Sequence, residues 1–361
     1  MKKLNAIIAL MICFTLLTAC TGKANSKPKT SSKTDATSEQ IFLTPEYDYS
    51  VNQLKLLNLS TSKVTAAYSF ETAQSPMLIE KIRGGVVMLS SQAEADVQNK
   101  GGVSIINGDD SAKTLVYLQF DEKMNLKKQY ELTDPQLIEN LRGYTFTVSP
   151  DGEEIAYTVD NRLYIYKLKA QKQREITPKV KETVYYEAIH YSASGTNMTF
   201  FGSVSDRDGT AYGSVDLNDE SGKVFFADKF SAMALSVNGE YAVISETIKP
   251  NSLGGPAETG SILYVDCAKQ QGKQIKVQSG VESGIATVSA DGRYVVTCKG
   301  GDDTKGILTA YKTADGRKVI EQPYTMKTVC KPYKLLMQGQ SAYAVLATDK
   351  GNLLSPAVVL K

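Results

Sequence analysis

A hairpin phrase recurs along this chain. Residues 146–157 read FTVSPDGEEIAY, and weaker copies follow as IHYSASGTNMTF at 189–200, MALSVNGEYAV at 233–243 and ATVSADGRYVV at 286–296. Each copy reads as a short strand, a tight corner and a second strand. The corner glycines Gly152, Gly195, Gly239 and Gly292 stand 43, 44 and 53 residues apart. A period of this size specifies one small sheet per repeat, and such sheets bury their faces by standing next to one another around an axis.

Two kinds of hairpin alternate. The inner kind has corners near Gly84-Gly85, Asp151-Gly152, Ser194-Gly195, Asn238-Gly239, Asp291-Gly292 and Gly339. Asp and Asn accept backbone hydrogen bonds at such corners, and Gly supplies the positive φ. The outer kind is a strand rich in Leu, Tyr and Val, a polar turn and a shorter strand. It is read at 54–70, 115–132, 163–176, 213–226, 262–277 and 308–320. One inner and one outer hairpin make a four-stranded blade. The strands alternate only weakly and are rich in β-branched and apolar residues, as expected of sheets covered on both faces. No long helical periodicity is read beyond the N-terminal segment. The fold class expected is therefore all-β, a β-propeller of seven four-stranded blades, with six as the alternative. Extra strands at 41–44 and 357–360 are expected to meet in one blade, so that strands from both termini close the ring and hide a free edge.

Ser149-Pro150-Asp151-Gly152, followed by Ile155-Ala156-Tyr157, resembles the repeat of TolB-like, WD-type propellers. The resemblance covers 141–320 well and the ends poorly. The chain has no Trp, so the Trp-Asp pair of true WD repeats is missing. The resemblance implies the fold and a general binding role, and no substrate.

The first residues have a different character. Lys2 and Lys3 precede an uncharged run from Leu4 to Ala19, which ends in Leu17-Thr18-Ala19-Cys20. This resembles the lipobox of bacterial lipoproteins, and implies cleavage before Cys20 and lipid on its sulfur. The run is too short for an ordinary spanning helix. Two or more acyl chains, at about 0.8 kcal/mol per buried methylene, would hold the protein stably on a membrane. Residues 21–40 are rich in Ser, Thr and Lys and nearly devoid of apolar side chains, the composition of a disordered tether. The expected division is a signal peptide over 1–19, the lipidated Cys20 and tether over 20–40, and the propeller over 41–361. The expected location is extracytoplasmic, on a bacterial cell membrane. Without Lys2 and Lys3 the chain carries 39 basic and 39 acidic residues, a balance that argues against nucleic acid as partner.

Few residues suggest chemistry. His190 is the only histidine, which excludes multi-histidine metal sites and leaves one possible triad base. Two residues before the repeat serine the copies carry Thr147, His190, Ala234 and Thr287, so His190 is the bulky member of a slot on the innermost strand. It can line the central channel, or pack as a hydrogen-bonded core histidine. Cys267, Cys298 and Cys330 lie in predicted strands with no metal spacing. They read as buried thiols, with Cys298–Cys330 the pair to consider if a disulfide exists. Asp206-Arg207-Asp208-Gly209 has the end of a calcium loop but carries Val204 where a further ligand belongs, so a hairpin tip is expected. Ser60-Thr61-Ser62-Lys63 matches S-x-x-K in an outer turn, without the helix that chemistry needs. No cofactor or metal is expected, and no catalytic residue is assigned.

Loop lengths say more. The connections at 92–102, 205–212, 247–260 and 299–306 are long, and blade topology gathers them on one face of the disc. Function concentrates in variable loops on rigid scaffolds. The acids Glu94, Asp96, Asp206, Asp208, Asp302 and Asp303 stand there as candidate partner-binding residues, with His190 as the channel candidate. The reading is a membrane-tethered, non-enzymatic scaffold that contacts a protein or a cell-envelope component through its long-loop face. The alternatives are a hydrolase or lyase at the axial channel, or a sensor of a small ligand or Ca²⁺. The tight Asp-Gly corners are expected to be structural.

Overall fold

A computed structural model describes residues 43–92, 99–100, 103–104, 114–205, 209–228, 232–246, 258–282, 285–300, 303–349 and 351–360. The first sheet is an antiparallel meander of β1 (Leu43–Asp48), β2 (Gln53–Asn58) and β3 (Lys63–Ser69). The second begins with β4 (Gln74–Ile82) and β5 (Gly85–Gln92). A separate small hairpin follows, β6 (Asn99–Lys100) with β7 (Val103–Ser104). Then β8 (Leu115–Asp121) and β9 (Leu126–Leu132) complete the order β4-β5-β8-β9.

One helix, α1 (Pro135–Gly143), leads to the third sheet. Its start has a local cause. Asp134 caps it by accepting from the N–H groups of Gln136 and Leu137, and Pro135 sits at the first helical position. Leu137, Ile138 and Leu141 turn inward onto Leu132 and Tyr157 in one core cluster. This helix departs from the expectation of strands throughout. The Asp-Pro pair and the Leu137, Ile138, Leu141 spacing were its signal.

Three four-stranded meanders come next. They are β10 (Phe146–Val148), β11 (Glu154–Val159), β12 (Arg162–Lys167) and β13 (Lys172–Glu175), then β14 (Val184–Tyr191), β15 (Asn197–Val204), β16 (Gly209–Asp216) and β17 (Gly222–Asp228), then β18 (Ala232–Asn238), β19 (Tyr241–Glu246), β20 (Glu258–Asp266) and β21 (Gln271–Glu282). The last sheets share one long strand. β22 (Ala286–Val288), β23 (Tyr294–Lys299) and β24 (Asp303–Lys312) are followed by β25 (Lys318–Gln338), of 21 residues. The first half of β25 pairs with β24, and its second half opens the next sheet against β26 (Ser341–Thr348). β27 (Gly351–Leu354) and β28 (Val358–Val359) then lie in succession along the outer edge of β26.

The first strands of successive sheets touch, β1 with β4, β10 with β14, β14 with β18, β18 with β22 and β22 with β25. Four-stranded meanders whose first strands stand side by side are the blades of a β-propeller. Burial explains the weak alternation. β11, β15 and β23 are buried nearly throughout, because both their faces meet a neighbouring sheet, whereas β3 and β13 at outer edges are mostly exposed. Separate apolar clusters fill the spaces between sheets, such as Ile165, Ile189, Met198 and Phe200 in one and Phe201, Ile244, Leu263 and Val265 in the next.

Two expectations change. The hairpin at 54–70 is the second and third strand of the first sheet, whose own inner corner carries Asn52 at φ 50° instead of a glycine. Nor does any sheet of the described residues combine strands from both termini. The C-terminal strand is used at home. Ser355 accepts from the N–H of Ala344, Pro356 offers no N–H, and Val358 and Val359 pair with Ala342 and Ser341. First and last sheet meet through side chains instead. Asn352 Nδ2 donates to Glu46 Oε1 at 2.9 Å, and Leu59 packs with Val345.

Candidate functional site

The repeated corners are built by their serine. Ser149 Oγ donates to Asp151 Oδ1 at 2.6 Å and accepts from the N–H groups of Glu153 and Glu154 at 3.1 and 2.9 Å. Asp151 Oδ1 accepts from Glu153 as well, at 3.0 Å. Ser289 and Asp291 repeat the arrangement around Arg293 and Tyr294. In the degenerate copy Ser192 accepts from Asn197, and Ser194 takes the place of the aspartate. Gly152, Gly195, Gly239 and Gly292 have φ between 64° and 79°, the left-handed region glycine fills without strain.

These corners also hold one another. Arg83 N–H donates to Pro150 O at 2.7 Å, Arg83 Nη2 to Ala193 O at 2.9 Å, and Ala193 N–H to Gly239 O at 3.0 Å. Tyr117 Oη donates to Gly152 O at 2.9 Å from the neighbouring sheet. The result is a rim of backbone bonded across sheets, at the end of the innermost strands.

Inside this rim lies a cavity of about 380 Å³. Its walls come from the innermost strands and corners of four consecutive sheets: Glu80 and Lys81 from β4, Val148 from β10, His190 from β14 and Val237 from β18. Pro150, Ser192, Ala193 and Gly239 form its mouth. His190 is half-buried, with Nδ1 3.3 Å from Tyr191 O. Its counterparts Thr147 and Thr287 are buried, so the histidine alone among these three keeps a face toward the cavity.

Glu80 is the acid of this site. Burial pushes its carboxyl above the ordinary value, against the pull of His190, the N–H of Val148 and Lys334. Lys334 lies on β25, in the innermost strand of the last sheet, so charges from three sheets bear on one another here. Burial likewise pushes Lys81 down. Of the two hydroxyls in the lining, Ser192 is committed to its corner and Tyr191 Oη donates to Glu154 Oε2 at 3.5 Å. Sequence reasoning found His190 and missed Glu80, Lys81, Arg83 and Lys334. The signal for the first pair was a Glu-Lys couple inside the otherwise apolar first strand MLIEKI at 77–82.

The other site residues fare differently. Cys20, Glu94, Asp96, Asp206, Asp208 and Asp302 lie outside the described residues, as does most of the Asp206–Gly209 tip. Asp303 opens β24, with its backbone opposite Cys330. The cavity opens among the tight corners, at the opposite end from the long loops where binding residues were expected. Ser60 Oγ and the N–H groups of Ser60 and Thr61 all go to Asn58 Oδ1, so the S-x-x-K match is a turn. Cys267, Cys298 and Cys330 are buried and none of them is in a disulfide, and Cys267 sits in the turn after β20. Burial pushes the Cys267 thiol up to about 11. Among the described residues no group of three or more His, Cys, Asp or Glu could hold a metal ion.

No family model matches the chain, and no curated protein matches its sequence. Solved structures do resemble it. Hydrazine synthase of Kuenenia stuttgartiensis superposes with a TM-score of 0.51 at 9% identity, over 88% of this chain and 92% of that one. Raptor of Chaetomium thermophilum superposes with a TM-score of 0.52 at 9% identity, over 90% of this chain and 28% of that one. The β-propeller domain of Swd1 (Cps50) from Myceliophteria thermophila gives 0.47 at 11% identity, over 90% and 95%. At such identities the likeness is one of fold.

Proposed function

We propose that this chain is an extracytoplasmic lipoprotein: a seven-bladed, TolB-like propeller, anchored through lipid on Cys20, that works as a non-enzymatic binding module for a protein or cell-envelope component. The observation that carries the reading is the axial cavity. It is large enough for a side chain or a small polar group, and its rim is fixed by hydrogen bonds between sheets, so little order has to be gained on binding. It presents a carboxyl, an imidazole and cationic groups together, which suits a polar or charged partner. Of its two lining hydroxyls, Ser192 is tied into a corner and Tyr191 Oη donates to Glu154 Oε2, which favours binding over nucleophilic catalysis. The acidic long-loop face, with Glu94, Asp96, Asp206, Asp208, Asp302 and Asp303, supplies a second contact in this proposal.

A photo-crosslinking amino acid at position 237, on the cavity wall, tests the binding reading in detergent-solubilised envelopes. One crosslinked species is expected, and Glu80→Gln with His190→Ala should weaken it at least tenfold. A crosslinking pattern unchanged by those substitutions would refute the cavity as the binding end. Turnover of a glycoside, lactone or peptide substrate that His190→Ala abolishes would replace the binding reading with an enzymatic one. Cys20→Ser should release the protein from the membrane fraction; retention at unchanged size would refute the anchor.

A further inference from the structure

β25 carries an unusual stripe where it crosses from one sheet to the next. Tyr324, Cys330 and Pro332 are buried, and Met326 and Thr328 are half-buried. The residues between them, Thr325, Lys327, Val329, Lys331 and Tyr333, are all exposed. Val329 is 57% and Tyr333 47% accessible. The ladder slips between Thr325 and Cys330 and again between Pro332 and Lys334, yet exposure alternates from Thr325 to Tyr333. These residues therefore stand on one exposed side, over roughly 20 Å from Lys327 to Tyr333 at about 3.3 Å per residue. Cys330 and Tyr324 anchor the other side in the core. The exposed stripe is thus a fixed row of lysine, valine, lysine and tyrosine.

Its place in the fold is informative. Lys331 stands opposite Ala347, near the end of β26, and Cys330 opposite Asp303, the first residue of β24. Both positions are at the end of the sheets remote from the tight corners. The N-terminal strand starts at that same end, since Leu43 stands opposite Asn58, the last residue of β2. The two are also neighbours. Asn352, in the sheet that Tyr333 helps to open, bonds Glu46 of β1, and burial and the Glu46 carboxylate together push the Tyr333 phenol up. Leu43, where the described chain begins, therefore stands at the same end as the stripe.

We infer that this end of the propeller rests on the membrane, with the Lys327, Val329, Lys331 and Tyr333 stripe docked on an anionic lipid surface and the axial cavity turned away from it. The inference rests on the tethered reading of the chain. Lysines gain by approach to anionic lipid, about fivefold in affinity for each one near the surface. Tyrosine suits the interface because its ring is apolar and its hydroxyl stays wet. On the tethered reading, some twenty residues of coil would span roughly 25 Å and keep the stripe at high effective concentration over the bilayer.

The test uses the chain as it stands after removal of residues 1–19, with Cys20→Ser, so that neither lipid nor the uncharged run contributes, and vesicles of phosphatidylcholine with or without 30% phosphatidylglycerol. Sedimentation should show binding to the anionic vesicles only. Lys327→Ala with Lys331→Ala should weaken it about 25-fold, as two lysines at fivefold each require. Lys169→Ala with Lys172→Ala, at exposed sites around an outer-hairpin turn, should leave it unchanged. The chain has no tryptophan, so Tyr333→Trp gives a single reporter whose emission should shift blue on anionic vesicles. Absence of binding, or an equal loss from both lysine pairs, overturns the inference. Binding by the stripe in a protein whose Cys20 carries no lipid in the cell would leave the surface standing and refute the anchor.

Discussion

The corner serine is the cheapest place to test how this fold is held. Ser149 is buried, and its hydroxyl serves three groups at once. Ser149→Ala takes the acceptor from the N–H of Glu154, whereas the N–H of Glu153 keeps Asp151 Oδ1 at 3.0 Å. One buried donor is orphaned, which costs about 2 kcal/mol. Asp151→Ala leaves Glu153 its bond to Ser149 Oγ but takes the acceptor from the Ser149 hydroxyl, at a cost of about 1 kcal/mol. In the double variant both acceptors of Glu153 are gone. That orphaned donor adds to the cost of the double variant, while the Ser149–Asp151 bond is lost in either single variant and is counted twice in their sum, so the two effects on the cycle oppose each other. Urea unfolding of the four proteins, followed by far-ultraviolet circular dichroism, gives the cycle, and Ser149→Ala should also lower Tm by about 4 °C. A cost below about 0.5 kcal/mol for Ser149→Ala would refute the view that this serine builds the corner. Ser289→Ala, with the same partners around Tyr294, should match it.

Other outcomes follow from the same geometry. Burial raises the folded-state pKa of Glu80, so the folded protein binds this proton more tightly than the unfolded chain. Its contribution to stability is present below the ordinary carboxyl pKa and is lost as pH rises through the raised folded value. Glu80→Gln should flatten that fall in stability-against-pH curves. Gly292→Ala should cost about 2–4 kcal/mol, because a Cβ there would meet the Tyr241 ring 2.5 Å away and carry φ +69°, whereas Gly84→Ala, with nothing within 4 Å, should cost only about 1 kcal/mol of backbone strain. Thermal melts of the pair decide this, and equal losses would contradict it. Iodoacetamide at pH 8 should leave Cys267, Cys298 and Cys330 unmodified in the native protein and alkylate all three in urea, as read by mass spectrometry.

What could be read from the residues was the part that local chemistry writes. Gly84, Gly152, Gly195, Gly239, Gly292 and Gly339 all have positive φ, because a tight corner demands it wherever the sheet stands. The corner at Asn52 escaped notice because asparagine also enters that region and leaves no glycine to count. α1 escaped because nine residues among many strands carry little periodicity, although Asp134-Pro135 announced its start. The cavity lay further from view. His190 stood out as a singular residue in a repeated slot, but its sharing a cavity with Glu80 depends on β4 and β14 reaching the same place, 110 residues apart in the chain. Lys334 was hidden for a further reason. β25 is one continuous strand by its own pattern, and only the pairing with β24 and then β26 divides it between two sheets.

The seam between the first and last sheets has a mechanical meaning. A pull through the N-terminal segment reaches Leu43 and loads β1 along its length, so that the six residue pairs from Leu43–Asn58 to Asp48–Gln53 bear it together in shear. No C-terminal strand is woven into that sheet among the described residues. Beyond the seam stand the Asn352–Glu46 bond and the Leu59–Val345 contact, which part without unravelling any ladder. Under tension this seam is the place to yield; of the sheets that wall the cavity, those from β10 to β18 lie away from it, and the sheet of β4, which touches β1, lies next to it.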